Sequence, residues 1–323
     1  MKALRHREQG VALIVVILMI SIIVVIALQM NRASRSEVYD AANLRDRVRL
    51  FYVAKSGFSL GQVLLREDQN SFDALNEVWA TADKVVVQTD SLFGARGELR
   101  LVIEDESGKI PINKLVNGND FNLDVRNILI RLLSQPEFGL NQNRAQEIVE
   151  AIKDWIDTDD NVTGEGAESS YYSSLAKPYT AKNGPLDCID ELLMIKGISQ
   201  ELYDGSAGRA GLKDLVTLYG DGRININTAP KLVLRSLSQD MTVEAVEKLD
   251  NYRKTNGEDL SIPTWYQKIV TGIAIDTRLI TTRSDYFSVS SVGGSGDMRI
   301  TVTGIIMRDH NTKKMKLLSW KAE

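Results

Sequence analysis

The chain has 323 residues, with 39 Lys and Arg against 43 Asp and Glu and a formal net charge of -4. Its cations are scattered rather than blocked, so it lacks the positive footprint that phosphate neutralisation needs, and nucleic acid is not expected as a partner. One cysteine, Cys188, and two histidines, His6 and His310, exclude an intramolecular disulfide, a His-rich zinc centre and a Cys-His nucleophile pair.

The first element runs from Val11 to Met30 (VALIVVILMISIIVVIALQM), without a formal charge and long enough for a helix to cross a bilayer core. It follows a cationic leader, MKALRHREQG. Lys2, Arg5 and Arg7 fit a cytoplasmic leader, and Arg32 and Arg35 beyond the span weigh against that orientation. An ordinary secretory signal has a shorter apolar region and a small-residue cleavage site after it. A plain single-span anchor is one reading. The other rests on Gly10, at the border of leader and apolar run, which resembles the class III signal of type IV pilin-like proteins. That resemblance implies a prepilin peptidase cutting after Gly10, and a mature, N-methylated chain starting at Val11.

Most pilin-like subunits carry a glutamate five residues into the mature chain, where this sequence has Val15. A carboxylate inside an apolar helix bundle needs a cation, in that family the N-terminal ammonium of a neighbouring subunit. Its absence resembles the protein K family of type II secretion, placed at the fibre tip, so Val15 is expected to mark a tip subunit.

Beyond the span, Leu44, Val48, Phe51, Ala54, Phe58, Gly61 and Leu65 fall on one helical stripe. Arg45, Asp46, Arg47, Arg49, Lys55 and Arg66 lie between them and can face water. No proline interrupts residues 11–66. One helix of about 56 residues, roughly 84 Å long, is expected, with its second half packed on a sheet.

Residues 84–90 and 98–105 read as a hairpin around FGARG, and residues 286–293, 297–309 and 313–320 as later strands, the last two a second hairpin. Residues 122–275 between them carry helical patterns: VRNILIRLLSQ, RAQEIVEAIKDWI, IDELLMIKG, LVTLYG, KLVLRSL and VEAVEKLDNYRK. Either strand group is too small for a robust sheet, so the two are expected to pair with each other. The fold class is therefore α+β. Its expected parts are a leader (1–10), a transmembrane helix (11–30), an amphipathic half (31–66), a pilin-like α/β domain in two pieces (67–121 and 276–323), and an all-α insertion (122–275).

The stretch from Asp154 to Gly197 joins DWID-x-D (Asp154 to Asp159), GAE (Gly166 to Glu168) with Tyr172, PY at Pro178, N-x-P at Asn183 and DEL at Asp190. This composite resembles the protein K family, departing at Ser169, where the family commonly has another acid. Asp157, Asp159, Asp160, Glu165 and Glu168 are hard oxygen donors in a Gly-rich loop, with Asp187, Asp190 and Glu191 further on, a set suited to calcium. A hydrated acidic loop is the plain alternative, since the EF-hand spacing is missing. The resemblance implies a structural Ca2+, with Asp157, Asp159, Glu168 and Asp190 as candidate ligands. An acid pair for glycoside hydrolysis is set aside, and no catalytic residue is expected.

Residues 222–237, GRININTAPKLVLRSL, resemble the opening of a helix-hairpin-helix (SAM-like) element, and DELLMIKGIS echoes it. The next residues are SQDMT, without phosphate-binding glycines and with Asp240 repelling phosphate. Thr228 is expected to cap a helix that Pro230 helps to start.

The resemblance to protein K implies a non-enzymatic minor pseudopilin that initiates or caps the pseudopilus and supports secretion across the outer membrane. It implies minor pseudopilins I and J, other pseudopilins and the prepilin peptidase as partners. The chain would be a single-pass inner-membrane protein with its soluble part in the periplasm. A tip minor pilin of a type IV pilus or competence fibre, and a membrane-anchored DNA-binding protein, are the competing readings.

Overall fold

The computed structural model describes residues 2–84, 87–88, 97–206, 210–255 and 258–323, excepting the side chains of 2–9, 83–84, 87–88 and 258. The leader's charged side chains and most of the first expected strand therefore lie outside the described residues.

Helix α1 runs unbroken from Lys2 to Glu67, 66 residues and roughly 100 Å at the usual rise. Every residue from 10 to 41 is exposed, and this part is long and apolar enough to cross a membrane. Packing begins at Leu50 and continues through Val53, Ala54, Gly57, Phe58, Gly61 and Leu65, all buried. The expected stripe is thus correct from Phe51 onward, with Phe51 half-buried and Ala54 buried, and fails at its start, because Leu44 and Val48 are exposed. The sheet ends beside Leu50, whose carbonyl lies 2.6 Å from where a Cβ on Gly293 would sit.

Strands β1 (Val87–Gln88) and β2 (Glu98–Asp105) follow. Then come β3 (Ile110–Pro111), β4 (Val116–Asn117), β5 (Asp120–Phe121), α2 (Leu123–Leu133), α3 (Gln142–Ile156), α4 (Ser169–Ser173) and α5 (Gln200–Asp204). After these lie β6 (Val216–Thr217), β7 (Ile224–Asn225), α6 (Lys231–Ser236), α7 (Val243–Thr255) and β8 (Ile280–Thr281), and the chain closes with β9 (Tyr286–Ser295), β10 (Met298–Arg308) and β11 (Met315–Ala322). Among the described residues the main sheet has order β1-β2-β9-β10-β11, antiparallel throughout. The early and late strands do pair: Leu101 faces Ser291 and Ile103 faces Val289 across the β2–β9 ladder.

Alternation along β2 buries Leu99, Leu101 and Ile103. With Phe287, Val289, Val302 and Ile306 they form one core with the lower half of α1. A second core gathers residues from 110 to 280 with Ala74, centred on α2, α3, α6 and α7. This block is mainly helical and also holds the parallel pairs β3–β6 and β7–β8 and the antiparallel pair β4–β5. LVTLYG, expected as helix, contains β6 instead: Val216 pairs with Ile110, and Ile110 N donates to Leu215 O at 2.9 Å. Six residues are too few for periodicity to separate the two states.

The two cores meet at a buried polar junction built from residues 224–230, ININTAP. Asn225 Nδ2 donates to Asp105 Oδ2 (3.1 Å), Ser284 Oγ (2.7 Å) and Asp73 O (3.1 Å), and Asn227 Nδ2 reaches Leu260 O at 3.0 Å. Thr228, expected from sequence to cap α6, does not do so. Its hydroxyl donates to Asp105, and Pro230 occupies the cap without a side-chain bond.

Candidate cation site at the end of helix α3

An amphipathic helix normally turns its charges outward, yet α3 buries Glu150, Lys153 and Asp154, and Asp157 at its C-cap. Their spacing of three, one and three residues sets them on one face. The chain then loops through residues 158–168 and returns Glu168, fully buried, onto that face. Asp154, Asp157 and Glu168 each bring a carboxylate oxygen within 4.8 Å of the other two.

The cluster is short of donors. Asp154 accepts from Thr163 N through both oxygens at 3.1 Å. Lys153 Nζ donates to Asp157 Oδ2 and to Thr163 Oγ1, the latter at 2.8 Å. Asp157 Oδ1 and both oxygens of Glu168 are buried without a partner among the described residues. Burial first, then repulsion from Asp154 and Asp157, pushes Glu168 up to about 8. Burial also raises Asp154 and Asp157, against the opposing pull of Thr163 and Lys153 respectively. Unpaired buried carboxylates are costly, so the arrangement calls for a cation.

Two glycines make room for these groups. A Cβ on Gly166 would lie 2.1 Å from Asp154 Oδ2, and Gly164, at φ +55°, faces Glu150, whose Oε2 accepts from Glu165 N at 2.8 Å. GAE is therefore a shape requirement as well as a source of Glu168. Lys196 Nζ fastens the same loop through the carbonyls of Glu165 (2.9 Å) and Gly166 (3.0 Å).

Of the four ligand candidates, the fold brings together Asp157 and Glu168. Asp159 is half-buried outside the trio and accepts from Asn161 N at 2.7 Å. Asp190 is exposed and bonded by the Tyr203 hydroxyl, in another part of the block. Sequence reasoning missed Asp154 and Lys153, although helical spacing from Asp157 was the available signal. Gly10 and Val15 both stand exposed on α1, with nothing within 4 Å of a Cβ on Gly10. In a second acidic trio, Asp68, Asp73 and Glu77, the first two already hold the Arg308 guanidinium and Glu77 accepts from Asn70 and Trp79.

Residues 108–207, which contain the whole carboxylate cluster, match the sequence model of the family described as Type II secretion system (T2SS), protein K. Over nearly its whole length the chain is similar to the protein K family of type II secretion. Type II secretion system protein K of Pseudomonas aeruginosa is 26% identical over 96% of this chain and 92% of its own. The protein K of Aeromonas hydrophila is 25% identical over 97% and 96%. The fold also matches one chain in the crystal structure of the GspK-GspI-GspJ complex of enterotoxigenic Escherichia coli. That match has a TM-score of 0.67 and 19% identity, over 88% of this chain and 99% of the other. This last likeness is one of fold.

Proposed function

We propose that this protein is a minor pseudopilin at the tip of a type II secretion pseudopilus, acting by assembly rather than catalysis. The observation that carries the reading is the division of α1: its lower half is cemented to a sheet, and its apolar half stands bare. A surface of that kind is stable in lipid or against other apolar helices, and moves from one to the other as a fibre grows. The Escherichia coli relative of this fold was crystallised with GspI and GspJ, which makes the I and J subunits the expected partners here.

On this reading a prepilin peptidase cuts after Gly10 in the inner membrane, the new terminus at Val11 is methylated, and the head lies in the periplasm. Val15 leaves the mature chain without the carboxylate that would dock on a subunit above it. The helical block, carried beyond the sheet, obstructs further addition and so caps or initiates the fibre. Mass spectrometry of the protein recovered from membranes should find a chain beginning at Val11, co-purifying with I-type and J-type subunits. An intact leader on a protein free of those partners would refute the assignment.

The carboxylate trio supports a structural Ca2+. Asp154, Asp157 and Glu168 offer hard oxygen donors, and the orphaned oxygens fit an ion with flexible coordination. The ion would neutralise buried charge and tie the end of α3 to the loop carrying Glu168, most effectively where calcium is abundant. Calcium should raise the melting temperature of the full chain in detergent and chelator should lower it, and Glu168→Gln should remove most of that difference. A melting temperature indifferent to calcium would dismiss the site.

A further inference from the structure

We infer that Lys153 is a built-in part of the cation site, the resident charge that sets it to accept one divalent ion and no greater charge. The inference rests on the cation reading of the trio. It adds what that reading leaves open, namely why a lysine is buried among the ligands.

Lys153 is 6% exposed, an unusual position for an ammonium. Its stem rises from the last turn of α3, and Nζ is shared between Asp157 Oδ2 and Thr163 Oγ1, with the ring of Phe121 below it at 5.7 Å. These contacts lock the ammonium beside the trio rather than letting it reach solvent. Ionised, as a bound cation would hold them, three carboxylates with one ammonium leave two uncompensated negative charges, the charge of a single divalent cation. The oxygens without partners carry the same message, because Lys153 covers Oδ2 of Asp157 and leaves Oδ1 free, beside the two free oxygens of Glu168. Lys153 therefore does not fill the site. It occupies one side of Asp157 and presents the other. Glu150, one turn earlier, is not counted among the ligands: its carboxylate accepts from Gln146 and from Glu165 N, both at 2.8 Å, and lies outside the trio.

A fixed positive charge repels an incoming ion in proportion to the ion's own charge. Removing it should favour a trivalent ion over a divalent one of similar size and oxygen preference. The test compares Ca2+ and Tb3+ binding to the full chain in detergent by titration calorimetry, for the wild type, Lys153→Met and Lys153→Arg. In Lys153→Met the affinity ratio of Tb3+ to Ca2+ should rise by roughly tenfold or more, as loss of a neighbouring unit charge dictates. Lys153→Arg keeps the charge and should keep the wild-type ratio, which a merely structural role would not require. Where the Met variant fails to fold, Lys153→Gln retains a donor for Asp157 and Thr163 without the charge, and should show the same rise. An unchanged or lower ratio in the neutral variants, with Ca2+ still bound by the wild type, overturns the role of Lys153 and leaves the calcium site standing. A wild type that binds neither ion removes both.

Discussion

Asp105 sits buried where the sheet meets the helical block, and four neutral donors surround it: Ser107 N at 2.7 Å, Asn225 Nδ2 at 3.1 Å, and the hydroxyls of Thr228 and Ser284. Burial dominates these bonds and pushes the carboxyl up to about 6, from an ordinary 3.8. In a folded chain that holds its proton longer than the unfolded chain, stability is fullest below the unfolded value and declines as pH rises through the folded one. The wild type should therefore lose stability relative to Asp105→Asn between pH 3.8 and about 6, by at most about 3 kcal/mol. Denaturant titrations at several pH values measure this. Parallel pH profiles for the two proteins would show that the junction tolerates the ionised acid at no cost. This role of residues 224–230 was not legible from local pattern: Asn225, Asn227 and Thr228 have partners 33 to 154 residues away, and local grammar offered only a cap.

At the scale of elements, α1 lies so close to the sheet that its glycines become part of the fit. A Cβ on Gly57 would meet Ser291 Oγ at 2.2 Å and Leu99 Cδ1 at 2.5 Å, and one on Gly61 would meet Val289 Cγ1 at 2.8 Å. Helix propensity favours alanine over glycine by up to about 1 kcal/mol, so Gly57→Ala sets propensity directly against packing. Packing should win, with a net loss of about 1–2 kcal/mol, because overfilling a close-packed core costs about 1–3 kcal/mol. Ser56→Ala, on the exposed face of the same turn, should be neutral or slightly stabilising. Equal stabilisation by both substitutions would mean that the helix can lift off the sheet without penalty. The helix itself and the strands β2, β9, β10 and β11 were legible, since periods of 3.6 and 2 are local. Where the stripe on α1 would stop being covered was not, because the end of the sheet beside Leu50 is set by Gly293, some 240 residues later. The acid cluster was half legible for a related reason: loop residues were weighed as ligands, and the helical turn that supplies Asp154 was read as a signature.

For the whole molecule the decisive group is Arg308, near the end of β10, whose side chain is wholly buried. Nη1 donates to Leu65 O at 3.1 Å and Asp68 Oδ2 at 2.8 Å, and Nη2 pairs with Asp73, which also accepts from Ser284 N at 2.8 Å. The guanidinium lies 4.6 Å over the Phe287 ring. Asp73 in turn offers its carbonyl to Asn225 and Asn227 of the helical block. One cation thus joins the foot of α1, the late strands and the helical block, and fixes the direction in which that block stands on the sheet. Arg308→Met leaves buried Asp73 without its guanidinium partner, and should cost about 3–5 kcal/mol. Burial already holds Asp73 above its ordinary range, and Arg308 is the main opposing influence. Asp73→Asn added to Arg308→Met should therefore recover part of the loss, which a double-mutant cycle on the full chain would measure. If the two losses simply add, the pair is not what couples head to shaft, and the Asn225 and Asn227 bonds must carry the joint instead.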